Sequence, residues 1–327
     1  VENLQMLNKK NIIKKLVAIL VIYILGRIML EQEIIPPHIG SIIFIIGINI
    51  ILAVSLNLIN GFTGQFSLGH AGFMALGAYA SGMVTAVYGK HFIVGILFAA
   101  VLAAVAGLII GIPTLRLKGD YLAIATLGFA EIIRVVIENY EKVGGAAGLN
   151  DIPIDTTWTW LYFVVVITLI LINNFIKSYQ GRACIAIRED EIAAEAMGVN
   201  TTYYKVLAFV IGAAFAGIAG ALYAGNIGYI SPDNFKFMKS IDILVMVVFG
   251  GIGSISGAVA GATILAIISY LLQDFSEYRM ILYALILMIM MLYRPQGILG
   301  QNGLKSIRNW FKKLLKKEER ADASANS

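Results

Sequence analysis

Long apolar runs separated by short polar stretches dominate this chain. Eight of them, at 12–30, 39–59, 66–88, 92–113, 121–138, 158–176, 206–225 and 279–293, meet or nearly meet the roughly 20 largely apolar residues that a bilayer-crossing helix needs. A ninth, 241–272, is apolar but broken by Gly250, Gly251, Gly253, Ser254 and Gly257, which leaves a half-helix of about nine residues before a longer one. The pattern predicts an all-α integral membrane protein, a polytopic helical bundle of about eight spans plus one broken or re-entrant segment.

Basic residues orient these spans, because Lys and Arg are retained on the cytoplasmic side. With the N-terminus inside, 18 of the 25 fall in cytoplasmic segments and 5 in outer ones, with Arg27 and Arg134 inside spans. If 241–272 crossed once, the basic tail would emerge outside, so both ends of that segment are expected on the outer face. Irregular backbone at membrane depth survives only where protein or a water-filled cavity satisfies its polar groups. The glycine-rich turn therefore either lines a pathway or is a tight packing turn. The expected organisation is a cytoplasmic segment 1–15, a membrane domain 16–300 and a basic cytoplasmic tail 301–327. The first run follows Lys9, Lys10, Lys14 and Lys15 without a small-x-small cleavage pattern behind it, and reads as a retained span.

Composition agrees: 59% of residues are apolar and 14% charged, against about 45–50% and 25% in a soluble domain. One cysteine, Cys184, excludes an internal disulfide, and His38, His70 and His91 lie too far apart in sequence to suggest a metal site. No metal is expected. Small residues recur every fourth position at Ala99, Ala103, Gly107 and Gly111, at Gly212, Ala216, Gly220 and Ala224, and at Gly253, Gly257 and Gly261. Such stripes let helices approach closely in lipid and speak of packing alone.

Charge inside a span is expensive, so Glu131 and Arg134, three apart on one helix, form either a self-neutralising structural pair or part of a pathway. Arg27 and Asp242 are placed to snorkel to the interface. Ser67 and His70, at the start of a helix, read as caps or interhelical hydrogen-bonding groups.

The most telling polar interruption is the loop 177–205. From Glu189 it reads as a short amphipathic helix with acids at its start, Ile192, Ala196 and Val199 at helical spacing, and Gly198 as a stop. Asn200 then caps the next span. Such a helix, lying under a membrane domain, would present small residues to a groove on a cytosolic partner. The chain has no Gly-x-x-x-x-Gly-Lys-Ser/Thr phosphate loop, so ATP and its Mg would have to be held by other subunits, and this chain is expected to bind no cofactor and to be no enzyme. Trp310 and Phe311 among the lysines of the tail suggest an anchor on the anionic bilayer surface, with no nucleic-acid role.

Several motifs in order carry a family resemblance. They are Ser67-Leu68-Gly69-His70-Ala71-Gly72-Phe73, the run from Gly119-Asp120-Tyr121 through Glu131-Ile132-Ile133-Arg134, Gly181-Arg182-Ala183, Ala186-Ile187-Arg188-Glu189, Ala193-Ala194-Glu195-Ala196-Met197-Gly198, Phe249-Gly250-Gly251-Ile252-Gly253 and Tyr293-Arg294-Pro295-Gln296-Gly297. Over about residues 40–300 the chain resembles the LivM-type permease of branched-chain amino-acid ABC importers. The resemblance implies a prokaryotic cell-membrane importer of Leu, Ile and Val with a paired LivH-type permease, two cytosolic ATP-binding cassette subunits and an extracytoplasmic substrate-binding protein. It makes Arg188, Glu191, Ala193, Ala194, Glu195, Ala196 and Gly198 the counterpart of the ATPase-coupling motif. The chain departs from the common form of that motif: Glu191 and Glu195 bracket the alanines and no Ile-x-Leu-Pro follows. Permeases for urea or short amides share these features. An ion-coupled secondary carrier is the alternative from a different class, and it would need membrane-embedded acids as relays.

Overall fold

The computed structural model describes residues 19–30, 36–117 and 119–272, with isolated positions beyond them (Val17, Gln32, Leu285, Met288, Leu292 and Gly297). The predicted segments 1–15 and 301–327 lie outside the described residues, as does the predicted span 279–293 apart from three of those positions.

Eleven α-helices follow one another among the described residues: α1 Ile19–Leu30, α2 Pro37–Asn57, α3 His70–Gly82, α4 Phe92–Thr114, α5 Asp120–Glu138, α6 Trp158–Lys177, α7 Tyr179–Glu189, α8 Glu191–Ala196, α9 Thr201–Ile227, α10 Phe237–Gly250 and α11 Ile255–Leu271. Two of them end in a π-helical turn, Leu58–Phe62 after α2 and Met83–Val87 after α3. Strands are absent among the described residues; an isolated bridge joins Leu149 to Ile230.

Among the described residues, four helices are long and apolar enough to cross a membrane: His38–Phe62, Phe92–Thr114, Trp158–Lys177 and Thr201–Ile227. α1 and α11 are apolar but shorter. The run predicted as a span at 66–88 becomes helical only at His70, because Gly64, at φ +69°, turns the chain and 64–69 stays non-helical. The half-helix predicted before the glycine break is longer than expected: α10 has 14 residues, starting at Phe237. Polar Lys239 and Ser240 had hidden its first turn from a reading of apolar runs.

α9 is the hub, and its small residues face two neighbours at once. A Cβ at Gly220 would sit 2.0 Å from the Met74 carbonyl oxygen of α3, and one at Gly77 2.1 Å from that of Gly217. On the adjoining side, a Cβ at Gly107 would meet the Ala213 methyl at 2.7 Å and one at Gly217 the Ala103 methyl at 2.5 Å. α4 thus runs antiparallel to α9, while α3 runs parallel to it, with Phe73 packed on Phe209 and the Tyr79 hydroxyl donating to the Ile230 carbonyl beyond the far end of α9, and both neighbours bring their backbones into near contact with it. The predicted stripe 212/216/220/224 serves α2 and α3, while a second stripe, Ala213 and Gly217, serves α4. Lipid offers helices no hydrophobic reason to associate, so dispersion at such close approach is what holds these three together.

α10 and α11 form a helical hairpin. A Cβ at Gly250 would meet the Gly257 carbonyl at 2.0 Å, and one at Gly261 the Met246 carbonyl at 2.2 Å, so the pairing runs antiparallel from the turn outward. Gly251 (φ +120°) and Gly253 (φ +79°) make the turn in backbone conformations that a side chain resists. Ser254 closes it by accepting the Gly257 N–H at 3.1 Å, capping α11.

Candidate functional site

The hairpin turn, the end of α2 with its π-turn, and the segment α7–α8 converge at one end of the bundle. Asn57, the last residue of α2, clamps the turn from both sides: its Nδ2 donates to the Ser254 carbonyl at 3.0 Å and its Oδ1 accepts the Gly253 N–H at 2.8 Å. Arg188, near the end of α7, donates from Nη1 to the Gly61 carbonyl of the π-turn at 2.9 Å and holds Glu189 Oε1 with Nε at 3.1 Å. Three glycines make room for this. A Cβ at Gly61 would strike the Asn57 amide and come within 2.5 Å of Gly253 N, one at Gly64 would reach Arg188 Cγ at 2.9 Å, and one at Gly253 would reach Arg188 Nη1 at 3.0 Å. Gly297 closes the far side, its Cβ position 2.4 Å from Gly251 Cα. Of the predicted residues, the structure brings Arg188, Gly253 and Ser254 together around Asn57 and Gly61, which sequence reasoning missed. The available signal was Asn57 and Asn60 embedded in an otherwise apolar run, since buried amides need specific partners.

The loop predicted at 177–205 is mostly helix. Ser178 caps α7, its hydroxyl accepting the Gly181 N–H at 3.2 Å. The short helix predicted from Glu189 starts two residues later. Glu189 ends α7, Asp190 Oδ1 accepts the Ile192 and Ala193 N–H groups at 3.0 Å each, and α8 has six residues. Gly198 (φ +83°) terminates it in the left-handed conformation, and Asn200 caps α9 through the Tyr203 N–H at 3.0 Å.

The expected face of small residues is divided. Ala194 is 6% exposed and faces this chain's own interior, whereas Ile192 (76%), Met197 (84%), Ala193, Ala196 and Glu195 face outward. Glu191 is held by Lys205, Nζ to Oε1 2.6 Å. Cys184 is buried on α7, and that burial pushes its thiol up to about 11.

Glu131 and Arg134 do interact, with Nε 2.7 Å from Oε2, but as part of a triad. Arg134 Nη1 also reaches Glu138 Oε2 at 2.7 Å, so the cluster carries a net negative charge and lies along α5, one helical turn to either side of the arginine. Glu138 escaped notice because it falls where the apolar run ends.

A buried side-chain hydrogen bond joins α2 to α3, and further buried amides lie on the segment between them. The Ser55 hydroxyl donates to the Leu52 carbonyl at 3.0 Å and therefore accepts from His70 Nε2 at 2.8 Å, which leaves Nδ1 as the bare ring nitrogen, without a partner among the described residues. Gln65, 3% exposed, has neither amide atom hydrogen-bonded among the described residues. Asn60 is satisfied across the non-helical 64–69 stretch, accepting the Ser67 N–H at 3.2 Å.

Against this geometry stand the comparisons with known proteins. The model of the branched-chain amino acid transport system / permease component family matches residues 38–292. The chain belongs to that family. It is similar to the high-affinity branched-chain amino acid transport system permease protein LivM of Salmonella typhimurium, 37% identical over 319 residues, covering 87% of this chain and 74% of the relative. It is also similar to the permease protein LivH of the same organism, 32% identical over 185 residues, 56% of this chain and 60% of the relative. A third relative, the probable branched-chain amino acid transport permease protein LivM of Methanocaldococcus jannaschii, is 23% identical over 323 residues, 80% of this chain and 93% of the relative. No solved structure matches. The family match spans α2 through α11, so the hairpin, the Asn57 clamp and the α7–α8 segment all belong to the permease region, and the chain is a transport permease component.

Proposed function

We propose that this chain is one of the two unlike membrane-spanning subunits of an ATP-driven importer of leucine, isoleucine and valine. The observation that carries this reading is the 37% identity to LivM across 87% of the chain. The similarity to LivH supports a second, related permease as partner. Two cytosolic ATP-binding cassette subunits would supply hydrolysis, with ATP and Mg on those subunits, and an extracytoplasmic binding protein would deliver substrate. The excess of Lys and Arg puts the α7–α8 end of the bundle, and both termini, in the cytoplasm of a prokaryotic cell membrane. The hairpin then has its turn inside and both ends outside, and with the flanking helices it makes a bundle of eight spans plus a re-entrant pair.

In that orientation α8 is the docking element. Ile192 and Met197 supply apolar anchors on an exposed, capped helix, a form suited to a groove on an ATPase. Of the two acids, Glu195 meets the partner, since Glu191 is engaged by Lys205. A relay by Glu131, as an ion-coupled carrier requires, is disfavoured by its ion pair with Arg134. The test is copurification: the tagged chain, expressed with its candidate partners, should bring down two ATPase subunits and a LivH-type permease. Recovery of the chain alone, with ion-gradient-driven leucine uptake, would refute the proposal.

A further inference from the structure

Asn57, Gly61, Arg188, Gly253 and Ser254 form one continuous chain of contacts from the exposed α7–α8 segment to the tip of the α10–α11 hairpin. Each link is a hydrogen bond between elements distant in sequence: Arg188 to the Gly61 carbonyl at 2.9 Å, Gly253 to Asn57 at 2.8 Å and Asn57 to Ser254 at 3.0 Å. Between Asn57 and Gly61 lies only the π-helical turn Leu58–Phe62, a rare backbone form that recurs as single turns at functional sites. The surrounding contacts admit no slack. Cβ positions at Gly61, Gly64 and Gly253 all fall within 3.0 Å of Asn57, Arg188 or the opposing backbone, so displacement of any one element must move the others.

We infer that Arg188 is a positioning residue that transmits movement of the docking segment to the hairpin tip, and that Asn57 is the clamp receiving it. The guanidinium faces inward. It spans α7 and the π-turn with one charge-assisted hydrogen bond and holds Glu189 on its other edge, so it does not take part in the exposed apolar face of Ile192 and Met197. When the partner draws on α8, the rigid caps at Asp190 and Ser178 pass the motion to α7. Arg188 carries it to Gly61, and the π-turn carries it to Asn57, which grips the turn by a donor and an acceptor at once. The hairpin is anchored there, with two helices to be levered from its tip. A path of this kind earns a coupling role only if altering its links changes the coupling itself.

This inference rests on the proposed importer function, and the test separates the two. In the assembled importer reconstituted in vesicles, Arg188→Ala and Asn57→Ala should each retain ATPase subunits within about twofold of wild type while losing about tenfold or more of the leucine taken up per ATP hydrolysed. Arg188→Lys should recover part of the loss, because an ammonium can still donate to the Gly61 carbonyl but cannot also hold Glu189 in the same plane. The double variant Arg188→Ala/Asn57→Ala should be no worse than the worse single one, as expected for one path. Normal coupling in both single variants, or loss of captured ATPase in place of coupling, would overturn the inference and leave the importer standing. A second measurement does not need transport. With Cys184→Ser and Ile252→Cys in place, maleimide labelling at the hairpin tip should accelerate about fivefold or more when Arg188→Ala is added, with Arg188→Lys intermediate; equal rates in all three would overturn it even if the wild-type assembly imported no amino acid.

Discussion

Adding one methyl group to Gly220 should damage this fold more than most larger changes elsewhere. The new Cβ would lie 2.0 Å from the Met74 carbonyl oxygen, 2.8 Å from Ala78 N and 3.0 Å from Met74 C, all backbone atoms of α3, where ordinary contact begins at 3.4 Å. No side chain can swing aside, so α9 and α3 must part locally by about 1.4 Å, and a gap of 0.5–1 Å already forfeits a quarter to a half of each van der Waals contact. Overpacking of this kind costs about 1–3 kcal/mol or more, and the better helix propensity of alanine returns about 1 kcal/mol. Because the clash is with backbone, the cost falls at the upper end of that range, and the net expectation is a loss of up to about 2 kcal/mol for Gly220→Ala. Gly77→Ala should lose a similar amount, and the pair should fall short of additivity because both open one interface. Gly128→Ala is the internal control: nothing lies within 4 Å of its Cβ position, and its stability should be unchanged or raised by up to about 1 kcal/mol. Denaturant titration in micelles, followed by the fluorescence of the chain's three tryptophans, measures all four proteins. A Gly220→Ala protein as stable as Gly128→Ala would refute the claim that backbone contact between α3 and α9 holds the bundle.

Three further expectations follow from the site. Arg134→Met strands two carboxylates on α5 and should reduce membrane yield, at a cost between the ~1 kcal/mol of an exposed pair and the ~3 kcal/mol of a buried one, whereas neutralising all three with Glu131→Gln and Glu138→Gln should restore it; unrestored yield would argue that the charges do more than neutralise one another. Ile192→Asp or Met197→Asp should weaken ATPase capture about tenfold without loss of folded permease, while Ala194→Trp should lower stability by about 1–3 kcal/mol because that alanine is already enclosed. Cys184 should react with maleimide at pH 8 about 100-fold more slowly than an exposed thiol, since burial raises it from 9.0 to about 11. Because the folded pKa is the higher one, its contribution to stability is complete below pH 9.0 and disappears as pH rises through about 11, which an alkaline unfolding series with and without Cys184→Ser would show.

Apolar runs located nearly every helix that the structure describes, because in lipid each backbone polar group must be satisfied within its own segment and length alone is diagnostic. The glycine break at 250–257 was legible for a similar reason: nothing else explains so many small residues inside an apolar stretch. Amphipathic or polar starts hid the rest. α7, at Tyr179–Glu189, looked like loop because its residues mix charge with alanine and isoleucine, and α8 looked longer than six residues because Glu189 sits at the boundary of two helices. Helical spacing placed Ile192 and Ala196 on one face correctly but could not say that Ala194 turns inward, since which side of a short helix meets its own chain is a tertiary fact. The Asn57 clamp was the least legible part. It joins residues 196 and 197 positions apart, and only the asparagines in a hydrophobic run, of which Asn57 is one, hinted at it.

Leucine uptake into vesicles holding the assembled permease pair and ATPases tests the central claim most directly. With the binding protein outside and ATP inside, uptake should require both, should be competed by isoleucine and valine, and should be indifferent to collapse of proton or sodium gradients. Uptake by this chain alone, abolished when the gradient is collapsed and unaffected by removing ATP, would contradict the account.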